Sequence, residues 1–230
     1  MQQITFGADN LPGYIIGDVN NPAMLVIQEW WGVNDLVKGH AEKIAAQGYR
    51  CLIPDIYHGK IGIDKEEASH LFSNLDWMRA VEEIKQAVQY LKDNGATKVG
   101  SIGFCMGGAL SLAAAQHAGI NCAVPFYGTP SPELAQPENI KVPVALHTGA
   151  LDQMKGFSDA DTVRTMAEKI NAAGGSAVAY IYEECGHAFL NPGEEGIAKR
   201  EHMGFPHPPS SAPDLAWERV FAFLEEHLKK

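Results

Sequence analysis

Val99-Gly-Ser-Ile-Gly-Phe-Cys-Met-Gly-Gly-Ala-Leu110 decides the fold. It reads as a strand ending near Gly103, a sharp turn, and a helix beginning near Met106. The turn itself, Gly103-Phe104-Cys105-Met106-Gly107, is Gly-x-Cys-x-Gly, the pattern of a nucleophile elbow with Cys in place of Ser. The glycines have a steric reason: the central residue sits on a strained turn, and side chains two residues to either side would clash there. The helix that follows points its N-terminus at the turn, and its dipole favours a thiolate and a developing oxyanion. The competing reading of these five residues is a glycine-rich turn around an inert, buried cysteine.

Working outward, short apolar runs alternate with helical patterns. The strand candidates are Met24–Ile27, Cys51–Ile53, Lys98–Ile102, Cys122–Val124, Val142–Leu146 and Ala177–Ile181. They are continuous rather than alternating, as strands covered on both faces are. Gln3–Phe6 and Tyr14–Gly17 suggest an antiparallel edge hairpin. Helical stripes fall at Val37, Ala41 and Ile44, at Val81, Ile84, Val88 and Leu91, at Val163, Met166 and Ile170, and at Trp217, Val220 and Leu224. Each stripe needs a sheet to cover it, so the alternation predicts an α/β fold: a mostly parallel sheet of about eight strands with helices on both faces. No repeat or linker interrupts residues 1–230, which are expected to form a single domain; Phe205–Pro209 reads as a surface loop.

A nucleophile needs a base, and the base needs an orienting acid. After Val142–Leu146 the chain runs through His147 to Asp152. After Ala177–Ile181 it reaches His187. Both residues lie just past parallel strands, at the carboxyl edge where α/β sites are built. The expected triad is Cys105, Asp152 and His187. Asp159 and Asp161 are read as helix-capping residues, His147 as a packed core residue, and His202 and His207 as solvated positions in a polar loop. Gln28-Glu29-Trp30-Trp31-Gly32 follows Met24–Ile27 and reads as the lip of a cleft. It is placed to supply one oxyanion backbone N–H, with Met106 supplying the other.

Composition bounds the partners. Only 18 Lys and Arg face 28 Asp and Glu, a net charge of −10, which disfavours nucleic acid and anionic membranes. No apolar run approaches the roughly 18 residues of a membrane span. The segment Met1–Asp9 lacks the basic and apolar regions of a signal peptide, so a cytoplasmic protein is expected. Cys51, Cys105, Cys122 and Cys185 form no CxxC pair, and the histidines lack metal-ligand spacing, so neither a disulfide framework nor a metal is expected.

Taken together, Val26–Asn34, Tyr49–Tyr57, Gly100–Gly108 and Gly186–Phe189 resemble the dienelactone hydrolase (carboxymethylenebutenolidase-like) family of the α/β-hydrolase fold, over nearly the whole chain. The resemblance implies a cofactor-free hydrolase of small esters or lactones with no large lid domain. It would act as a monomer or small homo-oligomer through the triad already chosen and a thioester acyl-enzyme. It further implies that Glu29 contacts the resting thiol and that the oxyanion donors are the backbone N–H groups of Trp30 and Met106. One departure matters: the family holds its substrate carboxylate with arginines, and the position shortly after the catalytic His is Asn191 here. Lys65 and Arg79 are the replacements on offer in the preceding helical region, with Trp31 and Tyr127 expected to line the cleft. A non-catalytic ligand-binding protein on the same fold is the alternative, opposed by the presence of nucleophile, acid, His and oxyanion loop together.

Overall fold

The computed structural model describes residues 1–230. Eight strands form one sheet: β1 (Gln2–Phe6), β2 (Leu11–Ile16), β3 (Ala23–Ile27), β4 (Arg50–Pro54), β5 (Val99–Phe104), β6 (Cys122–Phe126), β7 (Pro143–Gly149) and β8 (Ser176–Tyr182). Their spatial order is β1-β2-β4-β3-β5-β6-β7-β8. The first two form the expected hairpin, β2 pairs antiparallel with β4, and the rest of the sheet is parallel. Seven α-helices connect or flank them: α1 (Asp35–Ala45), α2 (Lys65–Ser73), α3 (Trp77–Asp93), α4 (Met106–His117), α5 (Ala160–Ala172), α6 (Gly193–Met203) and α7 (Ser211–Leu224).

The period-2 geometry of the strands divides the core. In β3, Ala23, Leu25 and Ile27 join one apolar cluster, with α3, α4 and α5 packed on that side. Met24 and Val26 point the other way, into a second cluster built with α1 and α7. This is why β3 reads as an unbroken apolar run: both faces are covered, and all five residues are buried. α4 is buried on every side from Met106 to Ala115, as an all-round apolar helix must be. It carries the turn of interest, so that turn rests on the best-packed part of the molecule.

Asp159 is the N-cap of α5, its carboxylate accepting from the Thr162 amide, as its position suggested. One expectation needs correction. His202 does not lie in a loop but in the last turn of α6, where it remains exposed. The Gly193-Glu-Glu-Gly196 start and weak apolar stripe of α6 hide the helix from a periodicity reading. No helix is long and apolar enough to cross a membrane.

Candidate active site

Cys105 joins β5 to α4 with φ 54° and ψ −115°. Such a backbone in a non-glycine residue costs about 1–3 kcal/mol and persists only where the surroundings dictate it. Here they do. The Cys105 amide donates to the Phe126 carbonyl at 3.0 Å, and the Cys105 carbonyl accepts from the Gly108 amide at 2.9 Å. A Cβ at Gly103 would overlap the Gly107 carbonyl oxygen, and one at Gly107 would overlap the Ile27 and Gln28 carbonyl oxygens. The sequence reading explained those glycines by crowding about the nucleophile. The structure adds that Gly107 also lets α4 press against the end of β3.

His187 follows β8, and Asp152 follows β7. The parallel pairing of these neighbouring strands brings residues 35 apart into contact: His187 Nδ1 lies 2.7 Å from Asp152 Oδ2. Ser158 Oγ, 3.2 Å from the same nitrogen, is a second neighbour. Its own carbonyl accepts from the Thr148 hydroxyl at 2.6 Å. The Nδ1–carboxylate contact leaves Nε2 as the nitrogen free for proton transfer. That atom is buried and unpaired, and Cys105 is the neighbour that acts on it electrostatically. Burial alone would depress the His187 pKa. The Cys105 charge and the Asp152 carboxylate outweigh it, so the imidazole titrates above its usual value.

Glu29 is also buried in this wall. The Asn191 amide donates to both its oxygens, at 3.1 and 3.0 Å. Burial raises its pKa; the Asn191 hydrogen bonds and the charges of His187 and Lys199 draw it back. Asn191 in turn meets His40 Nε2 at 3.2 Å, and its carbonyl accepts from Arg200 at 2.5 Å. The residue standing where the family pattern has Arg is therefore the centre of a buried polar network. The backbone N–H groups of Trp30 and Met106 donate to no acceptor in the protein.

Cys105 and His187 separate two spaces. One is small, about 20 Å³, bounded by Glu29, Trp31, Asn191, Lys199 and Arg200. The other is a largely apolar cavity of about 410 Å³ walled by Trp30, Phe72, Met154, Phe157, Met203 and Phe205. Trp31 thus borders the site as expected, with Lys199 Nζ 4.0 Å above its ring. Three expectations are corrected. Tyr127 is fully buried behind His187, its ring centroid 5.0 Å away, and lines neither space. Lys65 begins α2 on an exposed polar surface. Arg79 pairs with Glu83 at 3.0 Å beside a different cavity, of about 330 Å³. Lys199 and Arg200 were missed; the only signal was a basic pair in the segment after the His187 loop, and it needed α6 to fold back before it meant anything. No group of three or more His, Cys, Asp or Glu side chains is arranged to hold a metal.

The profile of the dienelactone hydrolase family matches residues 11–228. Protein usf of Aquifex pyrophilus is 34% identical over 221 residues, covering 90% of this chain and 89% of the relative. The carboxymethylenebutenolidase of Pseudomonas putida is 29% identical over 217 residues, covering 88% and 85%. A dienelactone hydrolase-like promiscuous phosphotriesterase from metagenomic libraries shares the fold, with TM-score 0.80 at 20% identity over 99% of this chain and 98% of its own. The chain belongs to the dienelactone hydrolase family and is an ester or lactone hydrolase of the α/β-hydrolase fold.

Proposed function

We propose that this hydrolase works through a Cys105–His187–Asp152 triad and a thioester intermediate. The observation that carries the reading is the 2.7 Å His187–Asp152 contact, with Nε2 unpaired beside the strained turn of Cys105. The Cys105 proton passes to His187 Nε2, and the thiolate attacks the carbonyl carbon. The resulting oxyanion accepts from the Trp30 and Met106 amides, each worth about 3 kcal/mol in comparable sites. As the tetrahedral adduct collapses, the C–O bond breaks and His187 protonates the leaving alkoxide, which in a lactone stays tethered. Water then loses a proton to His187 and attacks the thioester, releasing the carboxylic acid and restoring the thiol. Asp152 keeps the proton on Nδ1 and stabilises the imidazolium. Glu29, held by Asn191, is the carboxylate against which the thiol and imidazole are poised.

The substrate is a neutral ester or lactone. The Asn191 amide is engaged with Glu29, Nη1 of Arg200 with two backbone carbonyls while its Nε is buried and unpaired, and Lys199 with Glu195 at 3.4 Å. The polar space beside them has room for about one water molecule rather than a carboxylate. The test is a hydrolysis screen of lactones and esters with Cys105→Ala in parallel, plus mass spectrometry of a slow ester. An acyl adduct on Cys105 is expected. Turnover surviving in Cys105→Ala would overturn the reading.

A further inference from the structure

A second cavity adjoins the apolar one at Cys105. Phe72 of α2 and Phe157 of the loop after β7 also wall this second cavity, of about 430 Å³. Its far side is formed by Trp77, Ala109, Pro130 and Leu134, with Met78 and Ser131 exposed at its rim. Phe72 and Phe157 therefore stand between the two spaces, each ring forming part of both walls. Phe72 is braced edge-to-face on Trp77, with centroids 5.5 Å apart and planes at 87°. Ala109, which lines this second cavity, stands one turn beyond Cys105 on α4, so both spaces lie beside the nucleophile helix. Neither cavity is lined by a lysine or arginine. The polar space on the other side of Cys105 is too small for anything but water.

We propose that the paired cavities form one chain-binding groove, and that the preferred substrates carry an extended apolar chain on one side of the scissile carbonyl. This rests on the hydrolase reading above and names its substrate class. Each cavity by itself is of the size that small-molecule sites take, so the second would be superfluous for a short acyl group. Every methylene moved from water into such a groove adds about 0.8 kcal/mol, or roughly fourfold, if it is felt in the transition state. The chain can belong to the acid or to the alcohol; the shared chemistry is the apolar tail.

The experiment measures kcat/KM along two series: p-nitrophenyl esters from acetate to decanoate, and n-alkyl acetates of the same lengths. In one of them kcat/KM should climb past six carbons, and that series identifies which side of the ester holds the tail. Ser131→Trp and Met78→Trp, both at exposed rim positions, should cut the longest member at least tenfold and leave the acetate within twofold. Cys105-dependent acetate hydrolysis with decline beyond four carbons in both series would overturn the groove and leave the triad standing. So would long-chain rates that ignore Ser131→Trp. If wild type hydrolyses no ester, decanoate is titrated into Cys105→Ala by tryptophan fluorescence. Saturable binding weakened by Ser131→Trp would uphold the groove while the hydrolase reading failed; absence of binding would overturn it.

Discussion

His147 and His187 are both almost wholly buried, near the ends of neighbouring strands, and each has one unpaired Nε2. They titrate in opposite directions. His147 stacks on Phe126 with centroids 4.4 Å apart, and its Nδ1 meets the Tyr182 hydroxyl at 2.8 Å. Burial, helped by the Arg219 charge, lowers its pKa to about 3. His187 has the same desolvation, but a carboxylate in place of the phenol and a thiol beside Nε2, and its pKa rises. Burial therefore does not raise a histidine's pKa. A charged partner does, because only an anion compensates for placing an imidazolium in a low-dielectric site.

The most damaging way to break this comparison is to remove the thiol. Cys105→Ala should lower hydrolysis by about 10⁴-fold or more, with the fold retained. In the same variant the His187 pKa should fall, since its interaction with Cys105 is gone; NMR titration of the ring reports this. An unchanged His187 pKa would mean that Cys105 does not act on it.

Asp152→Asn should bring His187 closer to the circumstances of His147, by exchanging its carboxylate for a neutral partner. Turnover should drop about 10³- to 10⁴-fold while the fold persists, as loss of an orienting acid does in comparable triads. Near-normal kcat would move the orienting role elsewhere, Ser158 being the other group at Nδ1.

Acid stability sharpens the other half of the comparison. His147 and His40 have folded pKa values lowered to about 3 and about 4, both chiefly by burial. A histidine depressed in the folded state contributes stability that is present above its unfolded value and is lost as pH falls below about 6.5. Between pH 7 and 4.5 each should withdraw about 2–3 kcal/mol, read as a falling urea midpoint. His147→Gln should flatten that slope; a slope unaffected by it would show that His147 is not protonated on unfolding.

Asn191→Ala leaves the Glu29 carboxylate buried without its two donors. A loss of about 1–3 kcal/mol in stability is expected, with a smaller effect on kcat than that of Asp152→Asn. The smallest effects should come from Lys65→Ala and Arg79→Ala: kcat/KM for a carboxylated lactone and for its neutral ester should each stay within about twofold of wild type. A selective loss with the carboxylate substrate would show that one of them reaches the site after all.

Much of this was legible beforehand. The Gly-x-Cys-x-Gly turn, the continuous apolar strands and the order Cys105, Asp152, His187 are local features, readable because each depends on a few neighbouring residues and on the period of the strand. The cleft was less so. Tyr127 follows a core strand and looked available, yet its positive φ of 37° belongs to a chain that buries the ring behind His187. Lys65 and Arg79 stand in the helical region where the family pattern has its second arginine, which says nothing of where α2 and α3 point them.

The sequence by itself determined the sheet, the strained turn and the identity of the nucleophile, acid and base candidates, since backbone sterics and hydrophobic period act over short range. Only the tertiary structure decided what surrounds them. α6 folds back to set Lys199 and Arg200 against Trp31 and Asn191, and Asn191 becomes the partner of Glu29 across 162 residues. α2 and the loop after β7 meet so that Phe72 and Phe157 wall two adjoining cavities. These contacts join segments with no common period or motif. They are settled by which buried polar groups must find partners and which apolar faces must be covered once the whole chain has closed.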